Sequence, residues 1–119
     1  MLSLVFLLLI PFHSTAQTTD HNQLFQTFWR KFKVAVAKND KKAVAAMTKL
    51  PFLFEGKERT RAQFIKIYNQ LFDIRVRKCF ATAKTLREED VYEVFCAKKI
   101  FYFGKVEGEY KLIEFGVDY

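Results

Sequence analysis

The apolar residues of this chain change period partway along it, and that change restricts the fold more than any other feature. From Gln23 onward, Leu24, Phe25, Phe28, Trp29, Phe32 and Val36 fall on one face of a helix, with Lys31, Lys33 and Lys38 on the other. From Val91 to Val106, and again from Glu109 to Val117, β-branched and aromatic residues follow the spacing of strands. Helices first and an antiparallel sheet afterwards define an α+β domain, with the helices packed on one face of the sheet. A chain of 119 residues holds one such domain and is too short for a TIM barrel or a full dinucleotide-binding fold. Its 14 Phe, 5 Tyr and single Trp supply core material that a disordered basic tail would lack.

Local signals divide the chain further. Asn39-Asp40 ends the first helix, and Asp40 caps a second that runs through Val44 and Met47 and stops before Pro51. Leu50 to Phe54 reads as a short strand and Glu55-Gly56 as a turn. Thr60 with Gln63 forms a capping box that opens a third helix through Phe64, Ile67, Tyr68, Leu71 and Phe72. Ile74 to Lys84 fits two readings. As a strand, Ile74, Val76, Phe80 and Thr82 share a face; as a helix, Val76, Cys79, Phe80 and Ala83 do. Val91 to Val106 is expected as one long run, bent or bulged at Ala97-Lys98-Lys99. Glu107-Gly108 is a two-residue hairpin turn, which opposes Phe103 to Leu112 and Tyr102 to Ile113. One face of that hairpin then carries Ile100, Tyr102, Ile113, Phe115 and Val117. The other carries Phe101, Phe103, Tyr110 and Leu112, with Lys105 and Glu114. Two apolar faces call for two covers. The helices supply one, and a second copy or another partner is expected on the other, with Phe101, Phe103, Tyr110 and Leu112 as the face for a homodimer.

Met1 to Phe12 is uncharged and almost wholly apolar, about a dozen residues against the roughly 20 that a spanning helix needs. It has the form of a signal-peptide hydrophobic region, broken by Pro11, with Ser14 and Ala16 as the small residues before a cleavage site. The expected division is a signal peptide over residues 1–16 and a single domain over residues 17–119, exported to the periplasm or secreted, with no transmembrane span after cleavage. The chain departs from the usual signal in having no Lys or Arg ahead of the apolar run.

Several chemistries lack their parts. The only histidines are His13, within the signal, and His21, at the start of the domain; no Cys-x-x-Cys spacing occurs, so neither a metal site nor any cofactor is expected. Both serines, Ser3 and Ser14, precede residue 17, which removes serine nucleophiles from the domain. No glycine-rich phosphate loop is present. The net charge of +7 is spread over every element, with small clusters at Arg30-Lys31, Lys41-Lys42, Arg75 to Lys78 and Lys98-Lys99. Nucleic-acid binding calls for a basic stripe with exposed aromatic rings. For an exported chain, acidic polysaccharide or phospholipid head groups are the better anionic partners. The two cysteines, Cys79 and Cys96, are expected to pair, because export permits oxidation. If residues 74–84 are a strand, a hairpin centred between Arg87 and Glu88 opposes Cys79 to Cys96 and Phe80 to Phe95. If they are helical, the cysteines must meet by packing.

The order of these elements, with Phe28-Trp29-x-x-Phe32, the Leu50-Pro-Phe-Leu-Phe54 strand and Phe64-x-x-x-Tyr68-x-x-Leu71-Phe72, resembles the NTF2-like superfamily, in particular its small exported bacterial members. The closing Phe103-Gly104-Lys105-x-x-Gly108-x-Tyr110-Lys111-Leu112 is similar to their final hairpin. The resemblance implies a cone-shaped, cystatin-like α+β fold with a pocket between helices and sheet. Enzymes of that fold, such as ketosteroid isomerase, set an Asp base and a Tyr against an apolar pocket, which makes Tyr68, Asp73 and Tyr92 the catalytic candidates. The fold hosts binders as well as enzymes. The leading expectation is a non-enzymatic domain that binds a small apolar ligand or a protein partner. The alternatives are a cofactor-free pocket enzyme of the isomerase or dehydratase type and an electrostatic binder of anionic envelope polymers.

Overall fold

The computed structural model describes residues 21–118. The expected signal segment, its cleavage after Ala16, a start at Gln17 and His13 all lie outside the described residues, as does the side chain of His21. Four helices and six strands follow one another as α1 (His21–Ala37), α2 (Lys41–Ala46), β1 (Phe52–Phe54), β2 (Lys57–Arg59), α3 (Arg61–Leu71), α4 (Ile74–Phe80), β3 (Thr85–Glu88), β4 (Val91–Cys96), β5 (Lys99–Val106) and β6 (Glu109–Val117). The α+β class read from the sequence holds. None of these helices is long and apolar enough to cross a membrane.

The helix ends sit where their side chains can satisfy free backbone groups. Asn39 takes a left-handed conformation (φ 55°) just past α1, and the Asp40 N–H returns to the Ala35 carbonyl at 2.9 Å. Asp40 then caps α2, its Oδ1 accepting from the Ala43 N–H at 3.1 Å. Thr60 and Gln63 form the full capping box of α3: Thr60 Oγ1 accepts from Gln63 N–H, and Gln63 Oε1 accepts from Thr60 N–H. Asp73 caps α4 through the Val76 N–H at 3.0 Å, and Arg77 and Lys78 occupy its last turn, where cations suit the helix dipole. This settles the open reading of residues 74–84. The segment is a helix over 74–80, with Val76 and Phe80 one turn apart and both buried.

β3 to β6 form a four-stranded antiparallel meander, and β1 and β2 form a separate hairpin turning at Glu55-Gly56. The run from Val91 to Val106 is two strands, not one bent strand. Ala97 and Lys98 form the turn between them, both at positive φ (55° and 66°), and Cys96 pairs with Lys99 across it. The preceding hairpin turns at Glu89-Asp90, pairing Glu88 with Val91, and not between Arg87 and Glu88. Phe80 and Phe95 accordingly do not oppose each other: Phe80 is buried in α4, and Phe95 is 44% exposed on β4.

The last hairpin turns at Glu107-Gly108 and pairs Phe103 with Leu112, as the sequence implies. One residue further, the register shifts. Tyr102 pairs with Glu114, and Ile113 is the extra residue of a bulge. Beyond it the two faces of β6 exchange, so Phe115 joins Phe101 on the helix side, with ring centroids 5.8 Å apart, and Glu114 joins Tyr102 on the outer side. The Ile113 side chain lies over Gly104, where a Cβ would come within 2.9 Å of Ile113 Cδ1.

The helices cover the face that carries Phe101, Phe103, Tyr110 and Leu112, and all four are buried within the chain. They form the domain's own core and are not open to a second copy. The outer face holds half-buried Ile100, Tyr102 and Ile113 among Glu88, Glu93 and Glu114, a more polar surface than the unbulged register implies. The upstream edge of β6 is closed by residues 47–49: Leu112 N–H donates to the Met47 carbonyl and Lys49 N–H to the Leu112 carbonyl, at 2.9 and 2.8 Å. Such pairing removes an edge that would otherwise template aggregation.

Candidate binding surface

Between helices and sheet lies a continuous set of aromatic rings. Phe25 stacks on Tyr92 with centroids 3.8 Å apart and planes 2° from parallel. Phe32 meets Phe103 edge-on at 5.0 Å, Phe72 stacks on Phe101 at 5.2 Å, and Phe80 meets Phe101 edge-on at 5.2 Å. Trp29 and Phe28 close the same cluster against Phe103 at 5.5 and 5.8 Å. Offset and edge-to-face pairs of this kind are favourable beyond the area they bury. The region where the resemblance places a pocket is filled by rings.

The three catalytic candidates serve separate local purposes. Asp73 caps α4 through Oδ1, and its Oδ2 pairs with Lys99 Nζ at 3.1 Å. Lys99 also donates to the Gln70 carbonyl at 2.8 Å, so this one ammonium joins the end of α3, the start of α4 and β5. Burial acts to raise the Asp73 pKa, but the Val76 N–H bond and the Lys99 and Arg75 charges outweigh it and hold the carboxyl below its usual 3.8. That environment keeps an anion, whereas a base tuned for proton transfer near neutrality needs the opposite shift. Tyr92 stacks on Phe25, and its hydroxyl reaches Asn22 Oδ1 at 3.5 Å. Tyr68 stacks on Phe72 at 4.8 Å with Lys41 Nζ 5.9 Å from its ring centre. Its hydroxyl is buried without a hydrogen-bond partner among the described residues, not at the surface, and burial pushes its pKa up to about 12. No hydrogen bond links any two of the three.

Openings occur on the outside instead. A trough of about 540 Å³ lies between α1 and α2, floored by Val34, Ala35, Ala43, Ala46 and Met47. Arg30, Lys31 and Lys38 rim it. None of these three cations makes an ion pair or a side-chain hydrogen bond among the described residues. The one carboxylate in the wall, Asp40, is turned to the Ala43 N–H. Val34 is 51% exposed on a helix face otherwise occupied by charged residues. A second opening, of about 360 Å³, shares Lys31, Ala46 and Met47 with the first and continues to Leu24, Phe28 and Tyr110. Leu24, placed on the core face by its spacing, is 41% exposed there.

Two further surfaces differ in chemistry. An opening of about 670 Å³ separates the β1–β2 hairpin from the end of β6, with exposed Leu53 and Val117 in its wall. On the outer face of the sheet, Glu88, Glu89, Asp90, Glu93 and Glu114 surround Tyr102. Burial first, and then the charges of Glu93, Glu114 and Glu88, raise the Tyr102 pKa. The charge is therefore divided by layer. Residues 21–80 hold 14 Lys and Arg against 4 Asp and Glu, and residues 81–118 hold 6 against 8.

Comparison of the chain with protein-family profiles, with curated proteins and with solved structures gives no match. Sequence reasoning placed Met47 on the second helix but gave no residue of the trough floor a functional role. The signal that could have found it was Val34, an apolar side chain on the lysine face of α1.

Proposed function

We propose that this chain is an exported, NTF2-like binding domain that takes an apolar ligand or a protein partner on its surface and performs no reaction of its own. The ring-filled interior carries the reading. A pocket enzyme needs a dry cavity in which an acid or base faces substrate, and here that volume is occupied by Phe25, Phe32, Phe72, Phe101 and Phe103, all fully buried. The order of two helices, a hairpin, two helices and a four-stranded meander supports the NTF2-like assignment. The Cys79–Cys96 disulfide supports export, since such bonds persist chiefly in oxidising compartments.

Native mass spectrometry of the protein recovered from its own compartment tests this. Retention of an apolar compound or a partner chain, lost on unfolding, is the expected result. Turnover of a ketosteroid-like or hydroxyacyl substrate that disappears in both Asp73→Asn and Tyr68→Phe would establish the enzyme instead.

The division of charge favours one further reading, that the helical layer rests on anionic envelope polymer. It requires binding to a polyanion that weakens steeply as salt rises.

A further inference from the structure

We propose that the trough between α1 and α2 binds a single-chain anionic amphiphile, an alkyl chain that ends in a carboxylate. The proposal rests on the reading of the chain as a binder of apolar ligands and adds the site and the ligand class. Its two openings adjoin on one face of α1, sharing Lys31, Ala46 and Met47 in their walls. From Leu24 to Val34 the trough follows α1 for about 15 Å at the helical rise of 1.5 Å per residue. A long, narrow, apolar floor suits a flexible chain better than a compact ring system.

The rim specifies the head group. Arg30, Lys31 and Lys38 stand beside the floor of the first opening without an ion pair among the described residues, and the carboxylate in its wall, Asp40, already accepts a backbone hydrogen bond. Glu109 lies away from them, in the wall of the second opening with Lys111. A carboxylate on the ligand would gain charge-assisted hydrogen bonds there, while an ammonium head would meet like charge. Other occupants fit less well. An amphipathic helix binds through large side chains set in deep pockets, and between α1 and α2 the floor is Ala35, Ala43 and Ala46 with only Val34 and Met47 beside them. A second copy packed face to face would set the same three cations against each other.

The test is a nuclear magnetic resonance titration of the folded, full chain with dodecanoate, dodecylammonium and butyrate as probes, each below its micelle concentration. Saturable shifts centred on the methyl groups of Ala35, Ala43, Ala46 and Met47 are expected with dodecanoate. Dodecylammonium should bind about tenfold more weakly or worse, the difference that one charge-assisted hydrogen bond supports. Butyrate, a head without a chain, should not saturate the site. Ala46→Trp, which fills the junction of the two openings, and Val34→Asp, which puts a carboxylate in the floor, should each weaken dodecanoate binding by about tenfold or more. Both positions are exposed, so an unchanged thermal midpoint should accompany the loss.

Equal binding of dodecylammonium would overturn the anionic head. Shifts centred on Leu53 and Val117 would overturn the site while leaving an apolar-ligand binder in place. Trough shifts that grow with protein concentration alone, or contacts from Leu2 to Ile10 already occupying the trough, would overturn the ligand in favour of a second copy or the chain's own leading segment. None of these results would restore the enzyme, which is decided separately by turnover and its loss in Asp73→Asn.

Discussion

Tyr68 and Asp73 carry opposite consequences of burial. The Tyr68 hydroxyl is removed from water and has no partner among the described residues, so it costs stability where its ring contributes it. Tyr68→Phe keeps the stack on Phe72 and removes the orphaned group. It is expected to raise unfolding free energy by about 1 kcal/mol in urea denaturation. A fall would mean that the hydroxyl has a partner in solution. Asp73 is the reverse case, a carboxyl held below its ordinary pKa by the partners it gains on folding. A depressed folded pKa gives stability that is present above the unfolded value of 3.8 and is lost as pH falls through the folded value. Asp73→Asn retains a capping oxygen and removes the charge. Its thermal midpoint should therefore fall less steeply than the wild type's as pH drops from about 5 into the acid range. Asp73→Ala should also lose the cap, at about 1 kcal/mol more.

At the level of elements, the meander contains one turn whose residues oppose their own conformation. Ala97 and Lys98 both sit at positive φ, where a Cβ is disfavoured and Asn-Gly is preferred. Ala97→Asn with Lys98→Gly is expected to raise stability by about 1 kcal/mol, seen as a higher denaturation midpoint at unchanged slope. Close to that turn, Cys96 on β4 bonds to Cys79 on α4, with Cα atoms 5.7 Å apart and a sequence separation of 17. The bond fastens a seven-residue helix, too short to hold itself together, to the sheet beneath it. Replacing both cysteines by Ala should lower unfolding free energy by about 3 kcal/mol on loop-closure grounds. Hydrogen exchange should quicken first in Ile74 to Phe80, and uniform quickening over all helices would refute this local role.

Across the whole molecule, the basic helical layer and the acidic outer sheet face make the surface directional although the net charge is simply positive. A polyanion should meet the helices first. Lys41→Gln with Lys42→Gln is expected to shorten retention on an immobilised anionic polysaccharide more than Lys84→Gln with Lys98→Gln, at equal change in net charge. Equal shortening would show that only the total charge matters. Retention of both should fall as ionic strength rises, because salt screens charges at the surface.

The parts of this fold legible in the sequence are those decided within a few residues. Asp40, and Thr60 with Gln63, bond to backbone groups three positions away, and Glu55-Gly56 and Glu107-Gly108 turn because Gly accepts positive φ at its own site. The cysteine pair was legible for a reason of composition and compartment, while the hairpin offered as its geometry does not exist. The rest depended on atoms distant in sequence. A bulge at Ile113 exchanges the faces of β6, and the Ile113 side chain then lies over Gly104 of the neighbouring strand. Phe101, Phe103, Tyr110 and Leu112 read from the sequence as the face for a second copy, whereas the helices of the same chain cover them. The trough between α1 and α2 exists only where the two helices pack, since its walls come from both. Periodicity tells which side chains leave water together, but register and the choice of covering element are set by long-range packing, and only the tertiary structure decides them.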